Sequence, residues 1–252
     1  MLFFFVIFVI NSFSMINEVR NTVMAVLNKD NNGYVTPEEF NLFARQAQLE
    51  LFEEYFYDYS QAVVLMNNRK YNSGYSDIPK QLEEVIDTFS RTSPALAGVA
   101  NLFTLPTDWY YINVVLYQGT TLVERVNHNK EQYLLASNLT APNLSFPAYT
   151  MNGATTSLPG NSITVYPATI LNPDITIKYV RYPLSPKWTY NTVAGSPVFN
   201  QSAADYQDFE LPSSDVPTLT NKILQMAGMN IREQAVTQYG MQEEAIEDQK
   251  EV

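Results

Sequence analysis

The sequence predicts an α+β chain: a helical bundle with a long aromatic helix, an inserted small antiparallel β-domain, and C-terminal helices returning to the bundle. Three observations carry this. Apolar residues recur every three or four positions from Ile16 to Met66, the period becomes alternating at Leu105, and helical spacing returns at Pro217. The expected boundaries are 1–14 for an apolar leader, 15–104 for an N-terminal helical part, 105–212 for an antiparallel β-domain with long loops, and 213–252 for C-terminal helices and an acidic tail.

The leader, MLFFFVIFVINSFS, has nine apolar residues after its first Met. That is too short to span a bilayer, and it lacks the basic n-region and small-x-small cleavage site of a signal peptide. The expectation is an upstream start codon with Met15 as the natural beginning, since Met15-Ile16-Asn17-Glu18 reads as a helix entry. The first helix, about Ile16 to Leu27, sets Ile16, Val19, Val23, Val26 and Leu27 on one face. The second begins at Pro37 and carries Phe40, Phe43, Ala44, Ala47, Leu51, Phe52, Tyr55, Phe56, Tyr59, Val63 and Met66, an apolar repeat that makes one helix roughly 40 Å long at 1.5 Å per residue. Arg69 to Asp77 reads as a polar loop, Lys80 to Ser90 as a third helix with Leu82, Val85, Ile86 and Phe89, and Thr92 to Ala100 as irregular.

Beyond Leu105, Trp109 to Tyr117 and Leu122 to Val126 flank Gln118-Gly119-Thr120 as a β-hairpin. Asn129 to Ala136 is a short helix. Ser162 to Tyr166 and Ile175 to Tyr182 are expected to pair with each other, with Tyr149 on a further strand. Ile175, Ile177, Tyr179 and Arg181 share one face. Pro183 to Pro212 has many turn formers and few periodic signals, so it should be functional or pinned to a neighbour. Pro217 to Ala227 is helical with Gly228 as its C-cap, and Ile231 to Tyr239 makes a last helix ahead of an acidic tail.

Composition narrows the function classes. A 46% hydrophobic content excludes a disordered chain, and 17 Tyr with 14 Phe suit a protein with extensive interfaces. The net charge of −11, from 26 acidic and 15 basic residues, argues against a broad nucleic-acid-binding face. There is no cysteine, so disulfides, thiolate metal sites and cysteine nucleophiles are excluded.

A search for chemistry returns nothing catalytic. His128 is the only histidine and reads as a solvated helix cap in Asn127-His128-Asn129-Lys130. Asp205, Asp208, Glu210 and Asp215 cluster in sequence, but their Pro- and Ser-rich setting favours capping and turns over paired catalytic carboxylates. Asn138-Leu139-Thr140 and Asn143-Leu144-Ser145 match glycosylation acceptors without a secretion signal to give them meaning. No catalytic, cofactor-binding or metal residue is assigned, and no cofactor.

One motif admits two readings. Asn28 to Glu39 places Asn28, Asp30, Asn32, Tyr34, Thr36 and Glu39 at the ligand positions of an EF-hand loop, with Gly33 at the sixth. Asn28 stands where the pattern asks for Asp, and no second loop of this kind follows. The same letters make a structural hairpin: Gly33 ends the first helix, and Thr36-Pro37-Glu38-Glu39 is a capping box with Pro at the first helical position. The structural reading is preferred, and an EF-hand-like calcium-binding interaction module is the alternative.

The order of elements carries a resemblance. Glu50-Leu51-Phe52-Glu53-Glu54-Tyr55-Phe56, Leu105-Pro106-Thr107-Asp108-Trp109-Tyr110, Val165-Tyr166-Pro167, Tyr179-Val180-Arg181-Tyr182-Pro183 and Asp208-Phe209-Glu210-Leu211-Pro212 together resemble the head-to-tail connector ring proteins of crAss-like phages. These are similar to the adaptor, or gatekeeper, proteins of short-tailed phages. The match covers about Met15 to Tyr239. It implies a non-enzymatic structural virion protein, assembled in the host cytoplasm and placed at the portal–tail junction. There it would form a homo-oligomeric, dodecameric ring in contact with the portal protein and adjacent tail proteins. DNA would pass through the lumen without specific binding, and no membrane would be involved.

Overall fold

The computed structural model describes residues 14–27, 35–67, 78–153 and 161–231. The leader, most of the EF-hand-like loop (28–34), the polar loop at 68–77 and the chain after Ile231, with its expected helix and tail, lie outside the described residues. Two compact units emerge: Met1–Pro79 with Pro183–Val252, and Lys80–Tyr182.

Among its described residues, the first unit is built on three α-helices. Helix α1 (Met15–Leu27) buries Ile16, Val19, Val23 and Leu27 at the spacing its sequence sets. Helix α2 (Pro37–Asn67) has 31 residues, and its capping box forms as written. The Glu39 amide donates to Thr36 Oγ1 (3.2 Å), while the Thr36 amide and hydroxyl both donate to Glu39 Oε2 (2.9 Å each).

The second unit follows. Helix α3 (Ile78–Asp87) leads into β1 (Ser90–Thr92), β2 (Gly98–Val99), β3 (Leu102–Thr104), β4 (Trp109–Tyr117) and β5 (Thr121–Arg125); then come α4 (His128–Leu135), β6 (Ala148–Asn152), β7 (Ser162–Tyr166) and β8 (Ile175–Arg181). The chain returns to the first unit with β9 (Tyr190–Val193), β10 (Ser196–Phe199) and α5 (Val216–Ile231), which packs on α1 and α2.

This corrects the predicted architecture. The second unit holds a large curled sheet of eight strands, half a barrel, in the order β1-β8-β4-β5-β6-β7-β3-β2, β9 and β10 pair as a separate two-stranded sheet, and there are five helices among the described residues; the chain is not a helical bundle carrying a small inserted β-domain. Strands β1 to β3 fall inside 15–104, the stretch read as helical. They are two or three residues long, too short to show an alternating period, so only pairing reveals them. Thr92 to Ala100 is therefore not simply irregular: it holds the end of β1 and all of β2. Nor do Ser162–Tyr166 and Ile175–Arg181 pair with each other. Strand β7 lies between β6 and β3, and β8 between β4 and β1. Local sequence sets which face of a strand is apolar, and the choice among apolar partners is made by the whole core.

Every pairing in the sheet is antiparallel except β5 with β6, where α4 and the following loop form the crossover that a parallel pair requires. Register shifts between Trp109 and Tyr111 and between Ile112 and Val114 interrupt the β4–β8 ladder. Such irregularities increase twist and help the sheet to curl. Phe103, Val115, Ile163, Val165, Ile175 and Ile177 fill the unit's core. Each stabilises by roughly 1.5 to 3 kcal/mol relative to exposure. The three-residue β4–β5 loop, Gln118 to Thr120, places Gln118 and Gly119 at positive φ of 50° and 72°, a conformation that glycine takes without steric cost.

In α5, Gly228 does not act as a C-cap, because the helix runs on to Ile231. A glycine inside a helix costs about 1 kcal/mol, which burial of Leu224 and Ala227 on the same helix outweighs.

Candidate functional site

The four acids that cluster in sequence do not meet as a site. Asp208 takes the N-terminus of α1: Oδ1 accepts from the Ile16 amide (2.8 Å) and from its neighbour Phe209 (2.9 Å), and Oδ2 accepts from the Met15 amide (3.0 Å) and the Tyr206 hydroxyl (3.0 Å). Ser14 Oγ lies 2.7 Å from that same hydroxyl, whose one proton is committed to Asp208, so Ser14 is the donor. Burial pushes the Tyr206 phenol up; the Ser14 bond lowers it, and Asp208 raises it further. Glu210 accepts from the Leu184 amide at 2.7 Å, Asp215 accepts from the Tyr55 hydroxyl, and Asp205 pairs with Lys187. The hydrogen bond from Lys187 holds the Asp205 carboxyl below its ordinary range. Four carboxylates thus have four separate structural employments.

The segment from Pro183 to Pro212 is pinned to α2 of its own chain. Asn41 and Gln48, seven residues apart on one helix face, each offer a side-chain amide to a backbone strand. Asn41 accepts from the Trp188 amide (2.7 Å) and donates to its carbonyl (3.2 Å). Gln48 donates to the Leu184 carbonyl (2.7 Å) and accepts from the Glu210 amide (3.1 Å). Trp188 is buried, stacks on Tyr190 and Phe199, donates to Asn17 Oδ1 (3.1 Å), and lies under the Arg20 guanidinium at 3.8 Å. It anchors the β9–β10 hairpin, which the sequence reading missed.

His128 is likewise occupied. Its Nε2–H donates to the Met151 carbonyl (2.6 Å), and Nδ1 faces Glu131 Oε2 at 3.2 Å. Glu131 Oε1 accepts from the Tyr166 hydroxyl, which burial first, and then Glu131, pushes up to about 12. These bonds fasten α4 to β6 and β7. They leave the imidazole with no nucleophile to activate, since neither of its partners is a hydroxyl or thiol.

What remains is surface. Helix α4 has no buried residue. With the loop behind it, the helix walls a cleft of about 600 Å³ lined by Arg125, Lys130, Tyr133, Leu139 and Phe146 among others. Tyr133 is 80% exposed, Leu139 94% and Phe146 78%. A smaller cleft of about 290 Å³ lies beside His128 and Met151. In the first unit, the C-terminal half of α2 exposes Tyr57, Val64, Leu65 and Met66.

Of the EF-hand-like positions, only Val35 to Glu39 are described, and there Thr36 and Glu39 satisfy one another. Among the described residues no group of three or more His, Asp or Glu side chains could hold a metal ion, and no helix is long and apolar enough to cross a membrane. No protein-family model matches the chain, and none of the curated proteins compared with it is significantly similar.

Proposed function

We propose that the chain is a non-enzymatic connector subunit, which forms a closed ring between the portal and the tail of a tailed phage, around the path of the DNA. The observation that carries this reading is the second half of α2. Tyr57 and Met66, 65% and 57% exposed, stand with Val64 and Leu65 as apolar surface outside the core of the described residues. Exposed apolar surface of this kind on a globular protein marks an interface.

Two further features support it. The resemblance to connector ring proteins spans about Met15 to Tyr239, with its motifs in the same order. The charge of −11 suits a conduit through which a polyanion slides without sticking. An interface between unlike surfaces closes into a ring when its rotation divides a full turn, and twelve copies match the portal symmetry that the resemblance implies.

The test is a density map of the assembled particle. The chain is expected in a twelvefold ring coaxial with the portal, at the head-to-tail junction, with a net acidic lumen. Placement on the outer capsid, at the distal tail tip, or as a single internal copy overturns the proposal.

A further inference from the structure

A ring is built from a head-to-tail contact, so one copy must present two different surfaces that fit each other. Among the described residues, each unit exposes an apolar surface that flanks charged side chains and so offers a candidate. In the first unit it is the α2 stripe, where Glu53 and Tyr57 stand one helical turn apart, both exposed, with Val64 two turns further along. In the second it is the crossover of α4 and its loop, where Tyr133, Leu139 and Phe146 surround a cleft.

The crossover is not there for its own core. A helix without a buried residue is held on the sheet by polar pins, His128 to the Met151 carbonyl and Glu131 to Tyr166, while Leu134 is half-buried and Tyr133 and Leu135 are exposed. That arrangement costs solubility unless something covers it.

Charge says what covers it. The unit Lys80–Tyr182 holds six basic and seven acidic residues, so it carries −1 of the chain's −11 and the other unit carries −10. Two copies meeting through their first units would bring together two strongly acidic bodies, and like charges at a contact are penalised. The crossover cleft is the favourable target, because Arg125 and Lys130 outnumber Glu124 in its lining. The α2 stripe brings Glu53 to it.

We propose that the cleft at the α4 crossover of one copy receives the Glu53–Tyr57–Val64 stripe of α2 from the next copy, and that this is the repeating contact of the ring. The inference rests on the ring reading. It names the occupant of the crossover as a second copy of this chain, not a peptide or a nucleic acid.

The absence of cysteine in the chain makes a clean test possible. Tyr57→Cys, Leu139→Cys and the double variant are treated with a short bismaleimide at the concentration where wild type self-associates by light scattering. The double variant should give a ladder of dimers, trimers and higher species; each single variant should stay monomeric, and a mixture of the two singles should stop at dimers. Lys130→Glu should reduce the ladder several-fold, and adding Glu53→Lys should restore it. Dimers from Leu139→Cys alone would mean that the crossover pairs with itself, and would overturn the proposal. A self-associating chain whose double variant gives no ladder overturns this contact and leaves the ring standing. A chain that neither associates at any concentration reached nor forms a ladder counts against both.

Discussion

Four hydrogen bonds converge on the Asp208 carboxylate, two of them from the first amides of α1, whose orphan donors would otherwise go unmet. Asp208→Ala should therefore destabilise the protein by roughly 1 to 2 kcal/mol, the usual worth of a cap. Urea denaturation followed by helical circular dichroism measures this, and an unchanged midpoint would show that α1 needs no help from 192 residues away. The Thr36–Glu39 box makes a similar point at the start of α2. Because each residue already satisfies its partner, and Asn28 removes a ligand charge, calcium should leave the melting temperature unchanged. A rise of several degrees with calcium and not with magnesium would restore the metal reading.

Two elements are held by small polar or aromatic anchors. The α4 crossover depends on Glu131 and Tyr166, and the Tyr166 phenol is pushed up to about 12, above the unfolded value of about 10. Such a group keeps its proton in the folded chain after the unfolded chain has lost it. Its contribution is therefore full below about pH 10 and lost as the pH rises to about 12. Burial also raises the phenols of Tyr149, Tyr179 and Tyr206, so the fall is shared. Tyr166→Phe should make stability fall less steeply between about pH 10 and 12; equal slopes in the two proteins would mean that neither burial nor the Glu131 bond holds the proton. The β9–β10 hairpin turns on Ala194 and Gly195, at φ of 50° and 83°. A left-handed alanine is strained, so Ala194→Gly should raise stability by up to about 1 kcal/mol, whereas Gly195→Val should lower it by roughly 1 to 3 kcal/mol. A thermal melt of the two variants checks both signs.

On the scale of the whole molecule, the two units have separate cores, one around Ile16, Phe40, Phe52 and Ile223, the other around Phe103, Ile163 and Ile177. Units with their own cores unfold as their own cooperative blocks. Calorimetry should resolve two transitions. Ile223→Ala should lower one and Ile163→Ala the other, each by the roughly 2 to 5 kcal/mol that an aliphatic truncation in a packed core costs. A single transition shifted equally by both substitutions would make the chain one cooperative unit.

The sequence by itself determined the elements whose signal is local. The long apolar repeat of Pro37 to Met66 could only be a helix, and Thr36 and Glu39 marked its start because both halves of the box lie within four residues. Gln118-Gly119-Thr120 marked a hairpin because glycine accepts the positive φ that the turn uses. That an acid within 205–215 would cap a helix was also legible, which holds for Asp208 alone of the four, though not its target. Tertiary structure alone decided the rest: that Asp208 caps a helix at the far end of the chain, that Phe103 pairs with Ile163 and Ser90 with Val180, and that strands of two and three residues complete an eight-stranded sheet. A side-chain period records which face of an element is buried, and it carries no address for the partner. Among many apolar faces of similar strength, the partner is chosen by the arrangement that closes one core, and that choice is a property of the whole chain.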